Sequence, residues 1–321
     1  IVVDGTTITL GANSSGTTTT NGMSYTVTIA SGTATVVLSK VAGVSTGNIN
    51  TLVNGITYQN TSIDNPTDGN RVFTLTQIVD SGGTASGGVN TTALSIASTV
   101  NVNPVNDAPV LASGSTLAYT ENATSAINTL ITVADADNTT LSTATVSITG
   151  GFVSGQDVLA FTNVPATMGN ITGSYVAGTG VMTLSSAGNT ATLAQWQAAL
   201  RAVTYNNSSD DPNTGARTVS YTVNDSAANS NTVTSTVNLT SVNDAPTLTA
   251  TAASPTFTEG AGSTQAAAVS VFSGATTGTV ESGQTITGLT FTVGGLLDGA
   301  SERIVVDGTT ITLGANSSGT T

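Results

Sequence analysis

The sequence contains neither cysteine nor histidine. Thiol nucleophiles, disulfides, zinc sites built from the usual soft ligands and every mechanism that turns on an imidazole base are outside its reach. Basic residues are scarce: Lys40, Arg71, Arg201, Arg217 and Arg303 stand against 18 acids, for a formal charge of −13. A surface of that sign repels phosphate backbones, so nucleic acid is not expected as a partner. No apolar run approaches the roughly 18–20 residues of a membrane helix, and no charged-then-apolar leader opens the chain, so membrane insertion is not expected either. Charged residues are only 7% and aromatics 4%, with one Trp. Materials for an acid–base site or a sugar-stacking platform are thin, and the expectation is a structural or binding role, not an enzyme.

What is present is threonine, about a fifth of the 321 residues, set among 38% apolar residues. Tyr25–Ile29, Thr33–Leu38, Ala144–Ile148, Thr218–Val223 and Thr232–Leu239 alternate apolar residues with Thr or Ser. That is the period of a half-buried strand, and β-branched Thr suits its wet face. Asp4-Gly5, Asn21-Gly22, Ser31-Gly32 and Asn54-Gly55 punctuate the runs as turns. The predicted fold is all-β, in antiparallel Greek-key sandwiches. One segment departs: Thr192–Arg201 places Leu193, Trp196 and Leu200 on one helical face and predicts a short helix capping the core, with the Trp as its anchor. Ile49 and Leu52 keep the same relative positions near the start of the chain.

Internal repetition sets the organisation. Ile1–Thr18 and Ile304–Thr321 are the same eighteen residues, IVVDGTTITLGANSSGTT, at an offset of 303. The chain therefore reads as one period of a tandem array plus an overlap, beginning in mid-strand as a piece of something longer. A second, diverged repeat lies inside the period. Val105-Asn106-Asp107-Ala108-Pro109 recurs as Val242-Asn243-Asp244-Ala245-Pro246, and each is followed by an aromatic-Thr-Glu step, Tyr119-Thr120-Glu121 and Phe257-Thr258-Glu259. Ile56–Thr76 likewise aligns with Val203–Thr222 after one gap. The expected organisation is the C-terminal part of a module A over 1–103, a complete module B over 104–241, and the N-terminal part of the next module A over 242–321.

At these motifs, together with Ala134-Asp135-Ala136-Asp137-Asn138 and the TYNN…DDPNTGARTVSYTVND stretch from Thr204 to Asp225, the chain resembles the cadherin-like repeats of giant bacterial surface adhesins exported by Type I secretion. The resemblance implies sandwiches strung end to end, an extracellular place on the surface of a Gram-negative cell, and calcium at the junctions. Carried over residue by residue, Asn106 and Asp107 match the linker, Asp135 and Asp137 the DxD, Asp225 the late Asp, and Glu121 and Glu259 the early Glu; Asn243 and Asp244 form the second linker. Each linker carries one Asp, and no DxD follows the second, where Val269–Gly274 stands instead. The junction near residue 104 is accordingly expected to be the better site and that near 242 weaker or empty. A separate physical argument points the same way: Ca²⁺ takes six to eight hard oxygens, and the scarce acids, Asp210 and Asp211 among them, gather at module ends. They also occupy turns, where Asp is favoured with no ligand at all.

The function expected from this is an extender repeat of an extracellular adhesin, stiffened by calcium and projecting a terminal binding domain, with neighbouring repeats of the same chain as partners. A self-assembling filament or sheath whose weakly charged, Thr-rich faces associate laterally is the alternative. A carbohydrate-binding module is the third reading.

Overall fold

A computed structural model describes residues 1–314 and 318–319; positions 315–317, 320 and 321, at the end of the repeated eighteen-residue stretch, lie outside the described residues. The fold is all-β, with strands in several mostly antiparallel sheets and, among the described residues, three short α-helices. Two compact units divide the chain: residues 1–108 with 135–138, and residues 109–134 with 139–321.

In the first unit β1 (Val2–Val3) and β2 (Thr6–Thr7) form a hairpin. Asp4 and Gly5 take its two turn positions at φ +51° and +76°, the left-handed geometry that makes Asp-Gly a favoured two-residue hairpin turn. A meander of β3 (Ser14–Thr17), β4 (Ser24–Ala30) and β5 (Thr33–Ser39) follows. Helix α1 (Thr46–Asn54) starts at Ser45, whose hydroxyl accepts from the Asn48 N–H, and buries Leu52. Val3, Ile8, Met23, Val27 and Leu52 make a small core. Strands β6 (Gly69–Val79) and β7 (Thr91–Val102) then pair as a two-stranded ribbon, and among the described residues β6 has no strand on its other edge.

Asp4 is 6% exposed, and it is held by the Thr18 hydroxyl, the Asn21 N–H at 3.0 Å and the Asn21 side-chain amide at 2.5 Å. Burial pushes its carboxyl up; the hydrogen bonds from Thr18 and Asn21, with a smaller attraction from Lys40, more than offset that and leave it below the ordinary value of 3.8.

The second unit contains the large core, which runs from Leu111 to Leu239. Its strands are β8 (Val110–Ala112), β9 (Thr116–Thr120), β10 (Ser125–Ala126), β11 (Thr132–Ala134), β12 (Thr143–Gly150) and β13 (Asp157–Ala160), then β14 (Ile171–Val176), β15 (Val181–Ser186), β16 (Thr204–Asn207), β17 (Arg217–Asn224) and β18 (Val233–Thr240). One sheet has the order β14-β15-β12-β17-β18-β9; β10-β16-β13 and β8-β11 are separate smaller sheets. The alternation read from the sequence is the alternation of burial: Val219, Tyr221 and Val223 of β17 point in, while Thr218, Ser220 and Thr222 are half-exposed.

One pairing differs from the antiparallel expectation. The chain leaves β8 in one sheet and enters the six-stranded sheet as β9, parallel to β18. The crossing passes Ser113 at φ +67° and Gly114, where a Cβ would fall 2.2 Å from the Thr234 carbonyl oxygen. Only glycine allows that approach.

Helix α2 (Pro165–Met168) precedes α3 (Leu193–Arg201), which occupies the expected position. Thr192 caps α3, and with Gln195 it forms a reciprocal capping box. Trp196 is fully buried, its indole N–H donating to the Leu141 carbonyl at 3.1 Å. Beyond Thr240 the described chain adds two hairpins, β19 (Thr247–Ala252) with β20 (Phe272–Gly278) and β21 (Arg303–Val306) with β22 (Thr309–Thr312).

Candidate functional site

The two VNDAP segments are held by the same set of contacts, drawn from different residues. At the first, within the first unit, the Asp107 N–H donates to Oδ2 of Asp137. The Asn106 amide donates to the Asp107 carbonyl at 3.0 Å, and its carbonyl oxygen accepts from Asn138 at 3.1 Å. Asp135 closes the loop on itself, its Oδ1 accepting from the N–H groups of Asp137 (2.9 Å) and Asn138 (2.7 Å). Asn65 joins them, donating to the Ala136 carbonyl at 3.3 Å.

At the second, within the second unit, the Asp244 N–H donates to Oε1 of Glu281. Asn243 repeats both bonds of Asn106, donating to the Asp244 carbonyl at 3.1 Å and accepting from Gln284 at 2.7 Å. Glu281 and Gln284 therefore stand where Asp137 and Asn138 stand in the first. Glu281 lies beyond Val269–Gly274, the stretch that stands in place of a DxD. No DxD spelling announces it, and only its position after the strand that pairs with the post-linker strand marks it: β20 pairs with β19 as β11 pairs with β8. Glu121 adds a further carboxylate, accepting from the Val242 N–H at 2.8 Å. Asp211 accepts from the Ser282 N–H at 2.9 Å, and Asp210 accepts from Asn122 at 3.2 Å. By the sequence alignment Asn65 is the counterpart of Asp211. The second segment thus gathers acids from before and after it, and the first mainly from after it.

Five carboxylate oxygens in these clusters are shielded from solvent and lack a hydrogen-bond partner: Asp135 Oδ2 and Asp137 Oδ1 at the first, Glu121 Oε2, Asp244 Oδ2 and Glu281 Oε2 at the second. Glu121 and Glu281 are 7% and 8% exposed. An unpaired buried acceptor costs about 1–3 kcal/mol, and more when charged, so such oxygens ask for a counter-charge. Hard carboxylate and amide oxygens of this kind suit Ca²⁺. No group of three or more His, Cys, Asp or Glu placed to hold a metal ion occurs among the described residues, so a cation here would complete its shell with amide, backbone and water oxygens.

Two candidates stand apart from these clusters. Asp225 follows β17, where its Oδ1 accepts from the N–H groups of Ala227 and Ala228 at 2.6 Å each, the pattern of an Asx turn. Glu259 is exposed and lines a shallow groove with Phe257, Ser263 and Gln265.

The composition gave no hint of a buried ion pair in the second unit. Arg217 and Asp157, 1% and 0% exposed at their side chains, meet at 3.1 Å in the one salt bridge among the described residues. Asp157 also accepts from the Val153 N–H (2.7 Å), the Tyr205 hydroxyl (2.5 Å) and the Asn207 amide (2.7 Å). Arg217 donates onward to the carbonyls of Asn213 (2.7 Å) and Gly215. Tyr119 and Tyr205 pack edge to face at 4.7 Å. Burial pushes the Tyr205 phenol well above its ordinary value of 10, and the bond to the Asp157 carboxylate adds to the rise.

No family model and no curated protein matches this chain.

Proposed function

We propose that the chain is a structural extender repeat of a long extracellular bacterial adhesin, with calcium holding successive modules in line so that a terminal binding domain is carried away from the cell. The observation that carries this reading is the duplicated set of contacts around Asn106-Asp107 and Asn243-Asp244, each leaving shielded carboxylate oxygens without a partner. At the first segment Asp135, Asp137 and Asn106 would hold the ion; at the second, Asp244, Glu281 and Asn243. Bound calcium supplies charge neutralisation and a multi-oxygen bridge. The residues themselves fix the loops that face the VNDAP backbone. A period repeated without change over eighteen residues suits a role in which the number of copies sets length and each copy repeats its neighbour.

The test is a calcium titration of the full chain, following thermal unfolding and small-angle scattering together. The expected result is a higher melting temperature and a longer, stiffer particle, with the first effect reduced in Asp135→Asn/Asp137→Asn and the second in Glu281→Gln. Indifference of both stability and shape to calcium overturns the reading. Growth of the particle with protein concentration turns it toward a laterally assembling filament.

A further inference from the structure

The buried ion pair of the second unit has a counterpart whose two halves lie at opposite ends of the sequence. In the second unit β13 pairs with β16 so that Asp157 lies opposite Asn207, Leu159 opposite Tyr205 and Ala160 opposite Thr204. The first unit keeps one link of the same ladder, Val2 opposite Thr57, with bonds of 2.9 and 3.1 Å in both directions. Thr57 aligns with Thr204, so Val2 takes the place of Ala160. Three residues earlier, the place of Asp157 falls just before Ile1. In the 303-residue period that residue is Glu302, which precedes Arg303 and the second copy of Ile-Val-Val.

The partners are in place as well. Arg71 aligns with Arg217, Tyr58 with Tyr205 and Asn60 with Asn207. Arg71 is held as Arg217 is: its guanidinium donates to the carbonyls two and four residues back, Gly69 at 2.9 Å and Thr67 at 2.8 Å, as Arg217 donates to Gly215 and Asn213. No carboxylate pairs with Arg71 among the described residues. Glu302 has a shielded Oε2 without a hydrogen-bond partner.

The strand that would precede this acid is also recognisable. Leu289, Phe291 and Val293 alternate with Thr290 and Thr292 as Ala144, Val146 and Ile148 alternate with Thr145 and Ser147 in β12. Glu302 follows Val293 by nine positions, as Asp157 follows Ile148 by nine. Yet residues 289–293 belong to no strand, and Leu289, Phe291 and Val293 are 69%, 48% and 42% exposed. The free edge of β6 is the edge that β17, its counterpart, uses to bind β12.

We infer that residues 243–303 of one copy complete a sandwich with residues 1–103 of the next copy, Leu289–Val293 pairing with the open edge of β6 and Glu302 forming a buried ion pair with Arg71. The partner is a second copy of this sequence, and the interface is the interior of a module that a single 303-residue period divides in two. The inference rests on strand register and not on calcium, and it deepens the repeat reading by naming the contact through which one copy engages the next.

The test lengthens the full chain at its C-terminus by a second copy of residues 19–103, which continues the period, and is run in EDTA so that failure of the calcium reading leaves it unaffected. Cysteines replace Glu302 and, in the added copy only, Asn60. Directly opposed antiparallel residues lie close enough for a disulfide, and the chain has no other thiol. Oxidation is expected to consume both thiols, while moving the first cysteine one residue on, to Arg303→Cys on the other face of the strand, leaves them free. Two free thiols in the first variant, or equal cross-linking in both, overturns the inference. Hydrogen exchange on the unsubstituted lengthened chain gives a second reading. Amides of 289–293 should exchange at least tenfold more slowly than in the 321-residue chain, and equal rates overturn it.

Discussion

Replacing Arg217 by methionine keeps an unbranched, apolar stem and removes the guanidinium that faces Asp157. The carboxylate would remain fully buried with three donors, from Val153, Tyr205 and Asn207, and no cation. Breaking a buried pair from one side costs about 3–5 kcal/mol, because the surviving charge is left uncompensated. For a unit whose core runs from Leu111 to Leu239, each kcal/mol lowers the melting temperature by about 3–5 °C, so a fall of about 9–25 °C is expected. Trp196, the single Trp and fully buried in that core, makes its fluorescence a reporter of this unit alone. The decisive comparison is a double-mutant cycle with Asp157→Asn, which removes the negative charge and keeps one acceptor oxygen for the Tyr205 and Asn207 donors, its amide replacing the oxygen that faces the Val153 N–H. The double variant should recover at least about 2 kcal/mol relative to the sum of the single losses. A loss below about 1 kcal/mol in Arg217→Met, or strict additivity in the cycle, would refute the claim that charge compensation, and not packing, makes this pair matter.

Three other outcomes follow from the geometry. Asp4 is held below its ordinary 3.8, so it stabilises the first unit above that pH and the contribution disappears as pH falls through the lowered folded value; Asp4→Asn should flatten the acid limb of a melting-temperature profile, and an unchanged limb counts against it. Tyr119, Tyr175, Tyr205 and Tyr221 are all raised above 10 by burial, so four of the six tyrosines should ionise late in an alkaline absorbance titration. Their neutral forms stabilise the fold fully below pH 10, and that contribution is lost as pH rises through the folded values; six tyrosines titrating together near 10 would contradict this. Thr192→Ala removes one half of the capping box on α3 and should cost about 1 kcal/mol in denaturant unfolding, whereas Trp196→Ala should cost about 3–5 kcal/mol; equal losses would mean the helix is not anchored through its indole.

The strands and the capping helix were legible because they obey local rules. Alternation of Thr with Val or Ile encodes which face is wet, and Thr192 with Gln195 marks a helix start. The parallel pairing of β9 was not legible, since it depends on a change of sheet at Ser113-Gly114 that no period announces. Among the residues gathered at the two VNDAP segments, Asp135 and Asp137 announce themselves by their motif, but Glu281 does not, because its place is defined by following β20 and not by neighbouring letters. The Asp157–Arg217 pair escaped for a related reason: its members are 60 residues apart. One signal was available, since two of only five basic residues, Arg71 and Arg217, fall at matching positions of the two aligned stretches, 56–76 and 203–222.

The identical eighteen residues begin the same hairpin at both places, Val2 opposite Thr7 and Val305 opposite Thr310, with Asp307 and Gly308 repeating the turn angles at φ +47° and +74°. Yet Val3 and Asp4 are buried while Asp307 is exposed. The turn is thus written entirely in its own letters and needs no packing to choose its register. A hairpin that carries its own register folds alike in either setting, so on the repeat reading proposed above a whole period inserted or removed at this point would leave the turn unchanged, and length would vary in steps of one repeat.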